Sequence, residues 1–313
     1  MIKLIETEGN KFWRNRLSGS SIFQKFVFQY IKALKTYICP VEYEIKPHQK
    51  LNLGLKEIWQ YREMLFFFTW RDIKVKYKQT VLGFAWAIIQ PLLLMAIFSL
   101  AGAALNIPSE SLPHPLFTYS ALTLWMIFST GLTSAGNSML SNANIIRKIY
   151  FPRLIIPISS VLTSLFDFLM AFIILIGMLI FYHDRITFDL GKFLLLFPVS
   201  IIITVISTFG IGSLLAALTI KYRDFRYVTP YLVQILMFVT PVIYPISIFH
   251  FTGAKYILAI NPMYSAVELF RSGFNGQMLE WKLVGICLFF AILFFIIGIY
   301  YFRKTEAYFA DLA

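Results

Sequence analysis

The sequence predicts an all-α polytopic membrane protein with six transmembrane helices, and three observations support this fold class. Hydrophobic residues make up 58% of the 313 residues and charged residues 14%, whereas a soluble domain usually carries about 25% charged residues. Six apolar runs have at least the roughly 20 residues that a helix needs to cross the bilayer core. Lysine and arginine collect before the first run and in alternate loops, as expected if these regions stay on the cytosolic side.

The chain begins with a polar, basic segment of residues 1 to 50, which we expect to be a cytosolic extension loosely attached to a membrane domain of residues 51 to 313. Its first residues, MIKLIETEGNKFW, lack the hydrophobic core and the small-residue cleavage site of a secretory signal. The net charge of +12 lies mainly before the first apolar run and in short loops, which indicates contact with anionic lipid headgroups and not with nucleic acid.

Residues 55 to 78 predict an amphipathic interface helix that lies on the cytosolic face of the membrane before the first span. Apolar residues recur there at spacings of three or four among charged residues, which makes one helical stripe. The stripe consists of Leu55, Ile58, Trp59, Leu65, Phe66, Trp70, Ile73 and Tyr77.

Six predicted transmembrane helices follow between residues 83 and 302. They are Gly83 to Leu105, Leu116 to Leu140, Leu154 to Tyr182, Phe193 to Leu218, Val228 to Phe249 and Leu283 to Phe302. Bases concentrate in the second loop, in the fourth loop and after the sixth span, so we expect these regions and both termini to be cytosolic. The bases concerned are Arg147, Lys148 and Arg153, then Lys221, Arg223 and Arg226, and finally Arg303 and Lys304.

The connection from Phe249 to Glu280 is too long for a turn and only moderately apolar, and glycine and proline interrupt it. We expect short re-entrant helices here that dip back into the outer leaflet while packing against protein. Glu268 and Arg271 are three residues apart, a spacing that allows them to pair on one helix face in a structural role.

The sequence contains no motif that indicates an enzyme. No G-x-x-x-x-G-K-[ST] phosphate loop occurs, and no aspartate-rich cluster is present to hold a metal with a pyrophosphate. The histidines make neither an H-E-x-x-H motif nor a Cys/His metal spacing. We therefore predict no catalytic residue, no metal and no cofactor of its own.

Polar and aromatic residues inside the spans are candidates for a transport path. Asp167 is the one acid at depth; we expect it to avoid the lipid-facing surface, and its role is either in a pathway or in a structural hydrogen bond between helices. The second span has a small polar face, which indicates either close helix packing or the wall of a polar conduit. Tyr231 and Phe238 belong either to lipid-facing belts or to a lining for sugar rings. The polar face comprises Thr130, Ser134 and Ser138, with Thr133, Asn137 and Ser141 in a neighbouring row.

The loop SNANIIRKIYFPRLIIP after the second span resembles the cytosolic coupling helix of polysaccharide-export ABC transporter permeases of the type-2 family. The resemblance extends over about residues 55 to 305. It includes Y-K-x-x-x-L-G-x-x-W from Tyr77 to Trp86, Gln90-Pro91, KYRDFRYVTP at 221 to 230 and NPMYSAVELFRSG at 261 to 273. It implies a transmembrane permease domain that forms a homodimer, joins two separate ATP-binding cassette subunits and lies in the bacterial plasma (inner) membrane.

The resemblance also implies roles for three groups of residues. The loop would dock in a groove of the ATPase, unless it is an ordinary positive-inside loop; its residues are Asn142, Ile145, Ile146, Arg147, Lys148, Tyr150, Phe151 and Pro152. The interface helix resembles a gate for a lipid headgroup, unless its bases only anchor it to the bilayer; its residues are Trp70, Arg71, Lys74, Lys76, Tyr77 and Lys78. The segment 261 to 273 resembles external re-entrant helices and contains Glu268, Phe270 and Arg271.

Export of a lipid-pyrophosphate-linked glycan, such as an O-antigen, teichoic acid or capsular chain, is the function that the resemblance implies. ATP and magnesium would then bind to the partner subunit, in agreement with the missing phosphate loop. Two alternatives stay open: a related ABC exporter of drugs or small lipids, and a polyprenyl-dependent membrane transferase.

Overall fold

The structure is a computed structural model that describes residues 55 to 306, apart from 79, 110, 111, 246, 247, 249 to 251, 277 and 278, together with Phe309. The described residues are helical or form connections between helices, and no strand occurs among them. The predicted extension of residues 1 to 50 lies outside the described residues.

Eleven α-helices run through the described part of the chain. They are α1 Leu55–Gln60, α2 Arg62–Lys78, α3 Trp86–Ala104, α4 His114–Ser141, α5 Ala143–Ile146, α6 Ile155–Phe181, α7 Leu190–Lys221, α8 Phe225–Val239, α9 Thr252–Leu258, α10 Pro262–Asn275 and α11 Trp281–Glu306. Short 3-10 turns precede α3 at Gly83–Ala85 and follow α6 at His183–Arg185.

Five of the described helices are long and apolar enough to cross a membrane: Gly83–Ala104, α4, α6, α7 and α11. Each begins and ends within four residues of a predicted span, which confirms the prediction of a multi-span helical membrane protein. The agreement arises because the apolar runs themselves set the length of these helices.

The fifth predicted span, Val228 to Phe249, contains a shorter helix than expected. Helix α8 has 15 residues, or about 22 Å at 1.5 Å per residue, which is less than the roughly 30 Å of a bilayer core. It ends because Thr240 is extended, with φ −82° and ψ 139°, and Pro241 follows it. A residue before proline is disfavoured in the helical region. The count of six spans therefore stays a prediction.

Two of the apolar clusters in the described part of the bundle are large, and α4 lies at the centre of the larger one. Of the most apolar 18 residues of α4, 83% are buried, against 11% in the first span, because α6, α7 and α10 surround α4. The second core lies at the end of the bundle near α5, where Phe68, Ile146, Phe151 and Phe302 are buried together. This second core holds the loop after α4, in which Arg147 and Lys148 are exposed.

Helices α7 and α11 pack backbone against backbone at two glycines. A Cβ atom added to Gly298 would overlap the carbonyl oxygen of Gly210, and one added to Gly210 would lie 2.5 Å from the Cα of Phe295. Small residues at such crossings let backbones pack closely where lipid provides no hydrophobic drive between helices. The glycines therefore fix how the last span packs on the bundle.

Two short helices, α9 and α10, occupy the connection that was predicted to contain re-entrant helices. Asn261 caps α10 by accepting a hydrogen bond of 3.1 Å from the N–H of Met263, and Pro262 takes the first helical position. Gly276 ends the helix with a left-handed φ of 68°. The helices are present, and their depth in the bilayer stays a prediction.

Candidate functional site

Helix α2 lies beside the first half of α6. Before the start of α6, the rings of Phe68 and Phe151 have their centroids 5.5 Å apart. One turn further along α2, the hydroxyl of Ser159 donates to the carboxylate of Asp72 at 3.5 Å. The contacts advance along both helices in the same direction, so α2 runs alongside α6 and carries its charged residues towards the middle of this helix.

Asp167, the thirteenth of the 27 residues of α6, accepts hydrogen bonds from two consecutive residues of α2. Its donors are the ammonium of Lys76 and the hydroxyl of Tyr77. The Asp167 side chain is 4% exposed, whereas that of Lys76 is 43% exposed. A carboxylate at this depth is costly unless it is paired, and these donors satisfy it. The hydrogen bond between helices that the sequence left open for Asp167 is therefore present.

The hydroxyl of Tyr77 is a hydrogen-bond donor to Asp167 that keeps its proton. Burial and the hydrogen bond to Asp167 both raise the pKa of Tyr77 above its usual value. The phenol consequently stays protonated across the physiological range. Asp167 thus keeps one hydrogen bond from Tyr77 whatever Lys76 does.

Arg71 links α2 to the loop that follows α4. Its guanidinium pairs with Asp72 at 2.6 Å and donates to the side-chain oxygen of Asn142 at 2.7 Å. The amide group of Asn142 in turn donates to the carbonyl of Ser138 at 2.8 Å, at the end of α4. One chain of hydrogen bonds therefore joins the predicted gate helix to the predicted coupling segment.

Two further bases of α2, Lys74 and Lys78, lie four residues apart on one exposed face. The ammonium of Lys74 lies 5.3 Å from the ring centroid of Trp70, which is 47% exposed. Within the described residues, neither lysine forms a salt bridge. The predicted gate residues thus divide into Arg71, Lys76 and Tyr77, which are bound to neighbouring helices or loops, and an exposed group.

The predicted coupling segment, residues 142 to 152, contains one helical turn, α5. The turn is fixed on the bundle by its apolar side, because Ile146 is 6% and Phe151 3% exposed. The exposed side chains of the segment are Asn144, Arg147, Lys148, Ile149 and Tyr150, while Asn142 and Pro152 are buried and Ile145 is partly buried. The segment consequently presents a basic and partly apolar edge on a rigid base.

A pocket of about 310 Å³ opens in this edge. Its walls combine three basic side chains with aliphatic and aromatic ones: Ile146, Arg147, Lys148, Ile149, Tyr150, Phe151 and Arg153. A surface of this composition suits a protein partner that offers an acidic and an apolar side chain together.

The end of α11 is tied to the residues that precede α6. The main-chain N–H of Arg153 donates to the Glu306 carboxylate at 3.4 Å, and its guanidinium donates to the Glu306 carbonyl. Arg303 pairs with the same carboxylate at 2.8 Å, and both side chains are about nine-tenths buried. The residue that follows the predicted coupling segment is therefore bound to the end of α11.

The small polar face of α4 is packed against other helices on one side and exposed on the other. A Cβ atom on Gly131 would lie 2.6 Å from Thr208 of α7 and 2.8 Å from Ser164 of α6, so this side of α4 is closely packed. Ser138 is buried, but Ser134 is exposed. Packing thus accounts for one side of the helix, and a conduit along the other side stays a prediction.

Polar groups on this face bond mainly within α4. Thr130 and Ser138 donate to carbonyls of their own helix at 2.6 Å, and the Asn137 amide donates to the carbonyl of Thr133 at 3.1 Å. The side-chain oxygen of Asn137 is buried and accepts no hydrogen bond from a described residue. Among the described contacts, none joins this face to the Asp167 cluster.

Tyr231 and Phe238 lie seven residues apart on one face of α8. They are 69% and 56% exposed, respectively. Their role in a sugar-lined path stays a prediction.

Arg271 is buried in α10 and binds backbone carbonyls of two other segments. Its guanidinium donates to Phe117 at 2.7 Å, to Pro241 at 2.8 Å and to Val242 at 3.1 Å. Phe270 is buried beside it, and Glu268 is partly buried. The carbonyls of Pro241 and Val242 lie where α8 has ended and lack helical partners, so Arg271 stabilises that break. These contacts agree with a structural role for Arg271.

Sequence reasoning identified Asn142 and Arg71 separately but missed their hydrogen bond. It also missed the contact of Arg153 with Glu306. Composition offered a weak signal, since each pair joins an arginine to a polar acceptor. Their partners became known only from the packing of the helices.

The fold and the site define a multi-span helical membrane protein with a charged helix and a basic loop joined at one end of its bundle. Among the described residues, no group of three or more histidine, cysteine, aspartate or glutamate side chains could hold a metal. Residues 63–275, from α2 to α10, match the ABC-2 type transporter family, and the chain belongs to this family.

Several curated proteins resemble the chain over most of its length. The O-antigen export system permease protein RfbA of Myxococcus xanthus is 29% identical over 229 residues, which cover 72% of this chain and 85% of that protein. The protein of the same name from Klebsiella pneumoniae is 28% identical over 253 residues, or 80% and 95% of the two chains. The polysialic acid transport protein KpsM of Escherichia coli is 24% identical over 243 residues, or 75% and 91%.

Proposed function

We propose that this chain is the transmembrane subunit of an ATP-driven exporter that moves a lipid-pyrophosphate-linked polysaccharide across the bacterial inner membrane. The observation that carries the proposal is the basic face of α2 beside a membrane-spanning helix, in a chain of the ABC-2 type transporter family. Its relatives are named for O-antigen export and polysialic acid transport, which supports a glycan as cargo.

The headgroup of the cargo enters beside α2. Lys74 and Lys78 are exposed there, and ammonium groups neutralise the charge of a pyrophosphate well. Trp70 and the exposed rings of Phe66 and Phe67 on the same helix suit the boundary between headgroups and acyl chains. The face thus offers apolar contact for lipid and positive charge for phosphate side by side.

The motion comes from a separate ATPase subunit that holds ATP and magnesium. Arg147, Lys148 and the pocket around them form its docking surface on the cytosolic side, and α5 moves as a rigid body when the ATPase closes. Arg71 and Asn142 carry the displacement to α2.

The complete exporter contains two copies of this chain and two ATPase subunits. Each copy contributes half of a conduit. Ser134 and the aromatic face of α8, which are exposed on the single chain, then line this conduit and do not face lipid. Both termini lie in the cytosol, because the basic loops do.

The docking surface is tested by replacing Arg147 and Lys148 together with Glu. The ATPase subunit should no longer copurify with this variant in detergent, since the new acids repel the acidic partner that the pocket fits. A matched control replaces Lys192 and Lys282, two exposed lysines that belong on the opposite side, with Glu. Unchanged copurification in the Arg147/Lys148 variant would remove the docking assignment.

The cargo is tested in cells that lack the chromosomal gene. The wild-type chain should restore the surface polysaccharide, and the double variant Lys74→Glu/Lys78→Glu should not, although it still assembles with the ATPase. The Lys192/Lys282 variant again serves as control. Normal surface polysaccharide in the Lys74/Lys78 variant would contradict the role of α2 in headgroup entry, and no effect of the deletion on any surface glycan would contradict the function.

A further inference from the structure

Lys76 differs from the other bases of α2, because it pairs with a buried carboxylate, that of Asp167 on α6. One partner is almost fully buried and the other is almost half exposed, at 4% and 43% of their side chains. Lys76 lies on the other flank of α2 from Lys74 and Lys78, because residues two apart on a helix point in nearly opposite directions. It is therefore separate from the exposed bases at which the headgroup enters.

We propose that Lys76 is a transfer site for a phosphate group of the lipid-linked cargo, and that Asp167 is the positioning residue that keeps this site weak. The proposal rests on the proposed function and extends it to a residue on the opposite flank of α2 that binds the same diphosphate chemistry.

The geometry of the ammonium supports this role. Lys76 has three N–H donors, and the described structure directs one of them to Asp167. Its exposed surface leaves room for an acceptor that arrives from outside the bundle. An anion can therefore bind to Lys76 either beside Asp167 or in place of it.

Tyr77 lowers the free-energy cost of turning Lys76 from Asp167 to a phosphate. When Lys76 turns to an arriving phosphate, Asp167 keeps the hydrogen bond from the Tyr77 hydroxyl, so the buried carboxylate is not left without a donor. The raised pKa of Tyr77 secures its proton. A buried acid with a lysine as its single partner would not allow this.

The negative charge of Asp167 lowers the affinity of Lys76 for an anion. This is what a transport path needs, because binding must be favourable enough for entry and weak enough for departure. The position of Asp167 near the middle of α6 places the site between the two ends of a membrane-spanning helix.

Binding of radiolabelled farnesyl diphosphate to the full-length chain in phosphatidylcholine nanodiscs tests the proposal. Lys76→Gln should weaken binding by about fivefold, the size of one partly exposed charge contact. Asp167→Asn, which keeps the shape and can still bond to Tyr77, should tighten binding by about fivefold. The double variant should bind as weakly as Lys76→Gln.

The two single variants should change the affinity in opposite directions, and this distinguishes the proposed role from a structural one. If the pair only held α2 on α6, both single variants would weaken binding or leave it unchanged, and either result for Asp167→Asn would overturn the proposal. Glu280→Gln is the matched control, since it removes the same charge from the exposed pair with Lys255 and should change nothing. Inorganic pyrophosphate as competitor distinguishes a free anion from a lipid headgroup: weak competition supports the lipid-linked ligand, and equal competition contradicts it.

If Asp167→Asn does not yield monodisperse protein, the decision rests on Lys76→Gln against Lys255→Gln. Weaker binding in the first alone supports the site, and wild-type binding in Lys76→Gln overturns it. Wild-type chain that restores surface polysaccharide in cells but binds no farnesyl diphosphate would sink this inference and leave the export function standing.

Discussion

The guanidinium of Arg71 donates a hydrogen bond of 2.7 Å to the side-chain oxygen of Asn142, across 71 positions of the sequence. Arg71 lies on α2, and Asn142 starts the turn that carries the basic edge. The same region is reinforced by the rings of Phe68 and Phe151. Helix α2 and the turn are thus connected by a hydrogen bond and by an aromatic contact.

Asn142→Ala should reduce the amount of polysaccharide exported per ATP hydrolysed, because the turn would move without carrying α2 along. A hydrogen bond to a charged group contributes about 1.5–3 kcal/mol, and the lower end applies to this partly exposed donor. Export and ATP hydrolysis would be measured together in reconstituted vesicles. The control is Asn144→Ala, an exposed asparagine of the same segment. An unchanged ratio would show that α2 is driven by other contacts.

Arg271→Lys should lower the unfolding temperature of the purified protein by about 4 °C or more, although it keeps the charge. A lysine cannot satisfy the carbonyls of Phe117, Pro241 and Val242 at once, and each buried acceptor left without a donor costs about 1–3 kcal/mol. Thermal unfolding in detergent measures the change. Arg185→Lys, at an exposed position, should have no effect. Equal stability of the two variants would mean that the break after α8 is stabilised without Arg271.

Gly298→Ala should destabilise the bundle by about 1–3 kcal/mol, the usual range for overpacking, and lower the yield of monodisperse protein. The added methyl group would overlap the backbone of Gly210, which cannot move without shifting α7. Gly285→Ala on the same helix is the control, because a Cβ there meets no atom within 4 Å. Comparable yields from both variants, measured by size-exclusion chromatography, would contradict the close approach of α7 and α11.

Glu306→Gln should lower stability by about 3 kcal/mol, since it removes the carboxylate that faces the buried Arg303. The Arg153 guanidinium should keep its hydrogen bond to the main-chain carbonyl of Glu306, and the Gln oxygen can still accept from the main-chain N–H of Arg153, so the change tests the negative charge. Glu280→Gln breaks a pair whose acid is 58% exposed and should cost less than about 1 kcal/mol. Similar losses in the two variants would indicate that the Glu306 carboxylate is better solvated than its burial implies.

Local properties of the sequence were sufficient for five spans. The run Leu154 to Tyr182 predicts α6 within one residue at each end, because a helix in lipid continues as long as its side chains stay apolar. The same rule was misleading after Val228, where apolar residues continue beyond Thr240 although the helix stops. Pro241 and Pro245 were the available signal, and hydropathy alone does not register them.

The site was predictable in part. Charge in an apolar chain singled out Asp167 and the bases of the second loop, and the family resemblance singled out Lys76 and the segment 142 to 152. Which of them meet was not predictable. Asp167 binds Lys76 across 91 positions, and Arg271 binds Phe117 across 154.

The sequence by itself determined that this protein is a helical membrane bundle with a basic helix and a basic loop. Hydropathy and charge act on each segment separately through water and lipid, so they can be evaluated along the chain. The tertiary structure decided that Asp167 holds Lys76 and Tyr77, and that Arg71 reaches Asn142. Such pairs depend on the rotation and height at which helices pack, and these are set by many small contacts between segments distant in sequence.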